Sequence, residues 1–295
     1  METQRSELRY DTLIGEWVGI AGARQGRPNR PDADCPFCVG GIEAPEPYEV
    51  KAFPNRWPMF APGDAIVLDP AAGQVPARGA SEVVLYSPEH DASLGSLGTA
   101  GVRRVVDMWA ERTADLLARP EIEYVLIFEN RGADAGATIP HPHGQIYAFP
   151  FVPPVPAREA AVAANGCALC AEEPGERLVY ESDGWRAYVP YASAYPYGLL
   201  IAPRAHVPGL PELDDAGRTG LAAALADVLP RYDRLFERPF PYMLWVHPGE
   251  HLHLHIAPPR RSADTLRYIA SGEVGSGTLT NPVVPERAAE ELRGA

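Results

Sequence analysis

His141, His143 and Gln145 alternate within the stretch from Thr138 to Tyr147, Thr-Ile-Pro-His-Pro-His-Gly-Gln-Ile-Tyr. On an extended backbone all three side chains point to one face. Pro142 between them lacks a ladder donor, which suits a strand end or edge. Gly144 lets a bulky group approach the backbone. Two imidazoles and an amide converging on bare backbone read as a site. A lone His-x-His is as often a pair of satisfied histidines in a turn, so its company elsewhere in the chain decides.

The four cysteines fall in two pairs, Cys35-Pro-Phe-Cys38 and Cys167-Ala-Leu-Cys170. In a reducing compartment such pairs hold metal more often than they form disulfides. A thioredoxin-type redox pair, the rival reading, predicts one pair at a helix start, whereas here there are two, each with histidines downstream. The order around them recurs. Pro88-Glu89-His90 is answered by Pro203-Arg204-Ala205-His206, and His141-Pro-His143-Gly-Gln145 by His251-Leu-His253-Leu-His255. Zinc favours four tetrahedral Cys and His ligands. The spacing gives Cys35, Cys38, His90 and His141 for a first structural zinc, and Cys167, Cys170, His206 and His251 for a second. In the second set His253 could replace His251, and Glu159 is a rival ligand.

The elements that must hold these residues repeat with them. Arg9–Ile20 reads as a strand pair, and 81–87 and 123–128 as strands either side of an amphipathic helix over about 98–118, where Val102, Val105, Val106, Trp109, Leu116 and Leu117 keep helical spacing. In the second half, strands at 197–202 and 242–246 flank a helix at about 214–236. The halves join near 150–165, where Pro150, Pro153, Pro154 and Pro156 crowd; the division expected is 1–155 and 156–295.

Composition narrows the partners. The chain has 295 residues, 46% hydrophobic and 22% charged, with a net charge of −13. So acidic a surface argues against a nucleic-acid backbone as partner. It leaves anionic small molecules open, through a few local arginines and helix N-termini. No apolar run approaches the roughly 18–20 residues of a membrane span. The first residues hold no apolar stretch of signal type, so the cytoplasm is the default location.

The His-φ-His-φ-Gln/His pattern resembles the histidine-triad nucleotidyltransferases and hydrolases. The duplicated, zinc-bearing form with His-Pro-His-Gly-Gln resembles the galactose-1-phosphate uridylyltransferase family. The likeness runs almost end to end, through Asp34–Cys38, Ser87–His90, Phe128–Gly132, His141–Gln145, Pro203–His206 and Pro285–Arg293. It implies an α+β fold of two tandem histidine-triad-like halves, each an antiparallel sheet with a packed helix, sharing one core. It implies transfer of UMP from UDP-glucose to galactose 1-phosphate, with His143 as nucleophile and Gln145 donating to a phosphoryl oxygen. A third histidine in place of Gln145 would suit a hydrolase better.

By the same resemblance Arg24, Arg27, Asn55, Asn130 and Thr138 contact the nucleotide, and Arg267 and Glu273 the acceptor sugar phosphate. Relatives use Glu159, His247, His253 and His255 for a second metal, zinc or iron, whereas others use the second cysteine pair; zinc at the cysteines is expected here, with His253 and His255 catalytically silent. A homodimer is also implied. The acceptor segment departs from the family pattern, with Arg267 where many members carry Lys, and with Gly272 and Leu279 where Tyr and Gln stand. The run Ser271–Asn281 resembles the branch that includes ADP-glucose phosphorylases, so another nucleotide sugar, or phosphate as acceptor, is the alternative. A dinucleotide polyphosphate phosphorylase or hydrolase would use the same histidine. A non-enzymatic zinc module would leave Gln145 unexplained, and a nucleic-acid-end processing enzyme fits poorly with the acidic charge.

Overall fold

The structure, a computed structural model, describes residues 6–26 and 35–295. The strands β1 (Glu7–Asp11) and β2 (Glu16–Ile20) form the expected hairpin. They are followed by β3 (Lys51–Pro54), β4 (Gln74–Pro76), β5 (Ala80–Leu85), helix α1 (Gly98–Leu117), β6 (Tyr124–Arg131) and β7 (His143–Phe149). The second half holds the helices α2 (Pro154–Ala163) and α3 (Ala168–Ala171), strands β8 (Leu178–Ser182), β9 (Trp185–Tyr188) and β10 (Leu199–Pro203), helix α4 (Asp215–Leu235), and strands β11 (Tyr242–His247) and β12 (His253–Ala257). Two helices, α5 (Ser271–Ser276) and α6 (Pro285–Gly294), close the chain.

The hairpin and β4 make a small sheet, and the other nine strands make one antiparallel sheet in the order β3-β5-β7-β6-β11-β12-β10-β9-β8. The halves meet edge to edge at β6 and β11, where Phe128 pairs with Trp245. Their registers agree. Gln145 pairs with Val83 on one side and Phe128 on the other; His255 pairs with Leu200 and Trp245 in the same way. The repeat read from the sequence is therefore a repeat in space.

One face of the large sheet is dry. Val125, Ile127, Ile146, Ala148, Leu244, Val246, Leu254 and Ile256 send their side chains against α1 and α4 in a single core. The helices bury the stripes that their periodicity marks, Val102, Val105, Val106 and Trp109 from α1 and Leu221, Leu225, Val228 and Leu229 from α4. Each such side chain, fully buried, is worth about 1.5–3 kcal/mol. Leu117, counted in the sequence stripe, is instead 43% exposed at the end of α1. Because strand side chains alternate, residues 143, 145 and 147 point away from this core.

The proline-rich junction is a helix. In α2, Pro154 stands at the helix start, where a missing N–H costs nothing and a fixed φ helps; clustered prolines there begin an element rather than break one. Among the described residues no helix is long and apolar enough to cross a membrane.

Candidate active site

His143 begins β7, paired with Leu85 of β5, and only 8% of it is exposed. Its Nδ1–H donates to the carbonyl of His141 at 2.7 Å. That bond fixes the tautomer and leaves the lone pair on Nε2. The ring packs edge-on to Phe37, centroids 5.1 Å apart. Two residues on, Gln145 faces the same way, with Asn55 Nδ2 reaching its Oε1 at a long 3.5 Å. An amide whose oxygen is engaged presents its N–H₂ outward as a donor. A cavity of about 580 Å³ opens beside His143, with Asn130, Thr138 and His90 along its wall.

Behind the strand end, Cys35, Cys38, His90 and His141 bring one ligand atom each within 4.8 Å of one another. The sulfur–nitrogen separations run from 3.4 to 3.7 Å. A zinc tetrahedron with its usual bond lengths has edges of roughly 3.6 Å, so the donor set fits that ion. His141 turns Nδ1 to the sulfurs because Nε2–H donates to the Ser87 carbonyl at 2.9 Å, with the Tyr48 hydroxyl also at 2.9 Å. Burial, then repulsion from His90, lowers its pKa, which favours the neutral imidazole a metal needs. Burial, then the neighbouring Cys35, raises the Cys38 thiol; a divalent cation would reverse that.

The second half repeats this set and adds another. Cys167, Cys170, His206 and His251 cluster likewise, His251 Nδ1 lying 3.3 and 3.5 Å from the two sulfurs and Nε2–H donating to the Pro203 carbonyl at 3.0 Å. His253 Nδ1–H donates to the His251 carbonyl at 2.9 Å, as His143 does to His141. His253 thus turns away from the cysteines, and Glu159, His247, His253 and His255 form a separate cluster, again with ligand atoms within 4.8 Å. Glu159 reaches it from α2, 3.0 Å from His247 Nδ1 and 3.7 Å from His253 Nε2. Burial pushes the Glu159 carboxyl up, but the hydrogen bonds and charges of His247 and His253 override it and hold it well below the usual range. Burial, then the charges of His253 and His247, brings His255 down to about 3. Residues that the sequence sets as rivals for one ion fall into two separate clusters of potential ligands.

Models of galactose-1-phosphate uridyl transferase match this chain, the N-terminal domain over residues 1–153 and the C-terminal domain over 165–295. The chain belongs to the galactose-1-phosphate uridylyltransferase family. It is an enzyme of the uridylyltransferase class. The galactose-1-phosphate uridylyltransferase of Thermotoga maritima is 38% identical over 97% of this chain and 98% of its own, and that of Streptomyces lividans 37% over 98% and 86%. A solved uridylyltransferase superposes with a TM-score of 0.87 at 29% identity, covering 98% of this chain and 97% of its own. An ADP-glucose phosphorylase from Arabidopsis thaliana, solved with bound ADP-glucose, gives 0.75 at 26% identity, covering 99% of both.

The remaining residues that the family resemblance picks out are placed unevenly. Asn130 and Thr138 share the cavity with His143. Arg24 donates to the Tyr147 hydroxyl at 2.9 Å, which sets its guanidinium at the end of the row His143, Gln145, Tyr147. Arg27 lies outside the described residues. Arg267 borders a different cavity of about 370 Å³. Its Nη2 donates to Glu273 Oε1 at 2.7 Å, while Nε and Nη1 are buried without a partner. The Glu273 carboxylate also accepts from the amides of Ala270 and Thr280, which with Arg267 holds its pKa down at about 2. Sequence reading missed Tyr48 and Tyr147. A tyrosine's partner is set by tertiary packing, and only the alternation that places Tyr147 in line with His143 hinted at it.

Proposed function

We propose that this chain moves UMP from UDP-glucose to galactose 1-phosphate in two displacements through a uridylylated His143. The observation that carries the reading is the Nδ1–H bond to the His141 carbonyl, which puts the nucleophilic lone pair on Nε2 beside the cavity. In the first step Nε2 attacks the α-phosphorus, the bond from that phosphorus to the bridging oxygen breaks, and glucose 1-phosphate departs with the electron pair. The positive charge that develops on the ring is met by the His141 carbonyl at Nδ1. Gln145 donates to a non-bridging oxygen as its charge grows. In the second step a phosphate oxygen of galactose 1-phosphate attacks, the P–N bond breaks and His143 returns to its neutral form. A neutral amide at 145 gives water no acid for a competing hydrolysis.

Asn130 and Thr138 are read as grips on phosphate or ribose, Asn55 as the partner that orients Gln145, and Arg24 and Arg27 as guanidinium forks for phosphate oxygens. Arg267, with Nε and Nη1 unpartnered, suits the acceptor phosphate. Its separate cavity supports a homodimer in which a second copy completes the acceptor end. Zinc at Cys35, Cys38, His90 and His141 supplies a closed structural clamp on the strand that carries His143, and the set at Cys167, Cys170, His206 and His251 does the same for β12. Residues 1–155 are read as the half with the nucleophile and the first zinc site, and 156–295 as the half with the second metal site.

Adenylyl transfer from ADP-glucose is the second reading, favoured by the run Ser271–Asn281 and the likeness to the Arabidopsis phosphorylase. Incubation with UDP-glucose or ADP-glucose, each labelled in the nucleotide, followed by peptide mapping, tests both. UMP on His143 is the expected result; AMP in its place gives the second reading, and label on any other residue removes the mechanism.

A further inference from the structure

Gly144 is bare on the core face of the sheet, opposite to the face of His143 and Gln145, and Tyr86 closes on it there with Glu129, Tyr242 and Trp109 gathered about Tyr86. The Tyr86 hydroxyl, just past β5, lies 2.0 Å from where a Cβ on Gly144 would stand. Glu129 follows Phe128, the partner of Gln145, and so lies in the row of Gly144 on the same face. Tyr242 of β11 donates its hydroxyl to Glu129 Oε1 at 3.2 Å. Trp109 of α1 stands edge-on to Tyr86, centroids 5.8 Å apart.

Glu129 is 3% exposed. Its Oε2 is buried and makes no hydrogen bond, and the buried Tyr86 hydroxyl has only the Trp109 N–H beside it. Arg131, two residues along β6, spends its guanidinium on Asp233 of α4 and the Phe240 carbonyl. A carboxylate so placed lacks the donors to offset lost hydration, whereas a carboxylic acid brings a proton of its own. Burial pushes the group up to about 8, opposed in part by the Arg131 charge and the Tyr242 bond.

We propose that Glu129 is a positioning residue for the transfer: with Tyr86 and Tyr242 it props the Gly144 backbone from behind and so holds the His143 imidazole toward the cavity. The inference rests on His143 being the nucleophile. Glu129 lies in the stretch of β6 that borders the cavity beside His143, but its carboxyl oxygen Oε2 is buried, so the group acts through the strand. The charged and titratable groups that face it are Arg131 from its own strand, Tyr242 from β11, Tyr86 from beyond β5, and Asp233 of α4 through Arg131. On this face β7 offers Gly144 and Ile146, and α1 offers Trp109, none of which titrates. Ionisation of Glu129 places a charge inside the wall and displaces the strand.

The test is the single-turnover rate of uridylylation by labelled UDP-glucose, followed from acid to alkaline pH in the full-length native protein, Glu129→Gln and Glu129→Ala. Glu129→Gln, isosteric and neutral, stays within a few-fold of native at neutral pH and lacks the native fall above about 8. Glu129→Ala loses about a hundredfold, the scale of a misplaced reacting group. The difference infrared spectrum of native against Glu129→Gln shows a protonated carboxyl at neutral pH that vanishes above about 8, and it is readable even if the alanine variant does not fold. A Gln variant that keeps the alkaline fall, or drops as far as the alanine variant at neutral pH, overturns the proposal; so does a carboxylate band at neutral pH. Label on a residue other than His143 in the native protein defeats the nucleophile instead, whatever the infrared spectrum shows.

Discussion

Asn130 and His247 hold the same position in the two halves, each two residues beyond the matched pair Phe128 and Trp245 on the strand beside the histidine strand. The comparison extends to His143 against His253 and Gln145 against His255. In the first half Asn130 and His143 border a cavity and no carboxylate stands at the place of Glu159 in the cluster; in the second, Glu159 from α2 lies against three imidazoles. One extra carboxylate and two substitutions separate a cavity-lining set from a set able to hold a metal ion.

The two clusters of the second half are therefore separable. Glu159→Ala and His253→Ala each remove metal from the Glu-His set and leave the Cys-His sets filled, while His251→Ala empties the cysteine site; elemental analysis of purified variants reads this directly. His143→Ala abolishes uridylylation, and His253→Ala preserves it. Loss of cysteine-bound zinc in His253→Ala would break the assignment.

A methyl group at 144 meets the Tyr86 hydroxyl at 2.0 Å and the Phe128 carbonyl at 3.1 Å. Overpacking of this kind costs about 1–3 kcal/mol, so Gly144→Ala lowers the denaturation midpoint. Tyr86→Phe, which removes the closer atom, restores part of the loss. Additive effects in the double variant would refute the contact.

Tyr48 touches His141 Nε2, Phe37 O and Ser87 O at 2.9, 2.7 and 3.0 Å. Tyr48→Phe leaves every metal ligand in place and loosens the ring that bears one. Zinc affinity at the first site falls by about 10–100-fold, measured by competition with a chromophoric chelator.

Stability responds to Glu129 with a definite sign. Its folded pKa, about 8, exceeds the ordinary carboxylate value, so its contribution is complete below that ordinary value and is lost as pH rises to about 8. Denaturant midpoints of the native protein fall across that window by more than those of Glu129→Gln. Parallel curves would show that the group is ionised throughout.

Replacing Gln145 by His supplies an acid where the amide is neutral. The variant still forms the uridylyl intermediate but releases UMP to water faster by about 10²-fold, the lower end of general acid–base contributions. Release of UMP from labelled UDP-glucose without acceptor measures it.

Periodicity and repetition made much of the architecture legible. The stripes of α1 and α4 and the doubled Cys-x-x-Cys and His-x-His order led to the helices, strands and clusters that the structure contains. Three things were not legible, each for a physical reason. Helix α2 begins in prolines, which read as breakers until their place at a helix start is known. Gly144 reads as room for an approaching group, and the group that approaches is Tyr86, on the face away from His143; alternation gives the faces but not what packs on them. Glu159 and His251 compete on paper for one ion, and only ring orientation, fixed by carbonyls of distant strands, separates them.

The seam between β6 and β11 carries a further consequence. Trp245 faces Phe128, Leu244 faces Glu129 and Val246 faces Ile127, the antiparallel self-pairing that two identical subunits would make about a dyad. The chain is thus built as a fused pair of twins whose symmetry has been broken by division of labour. Cut ahead of α2 and mixed, the two pieces have the backbone pairing of β6 and β11 with which to find each other again.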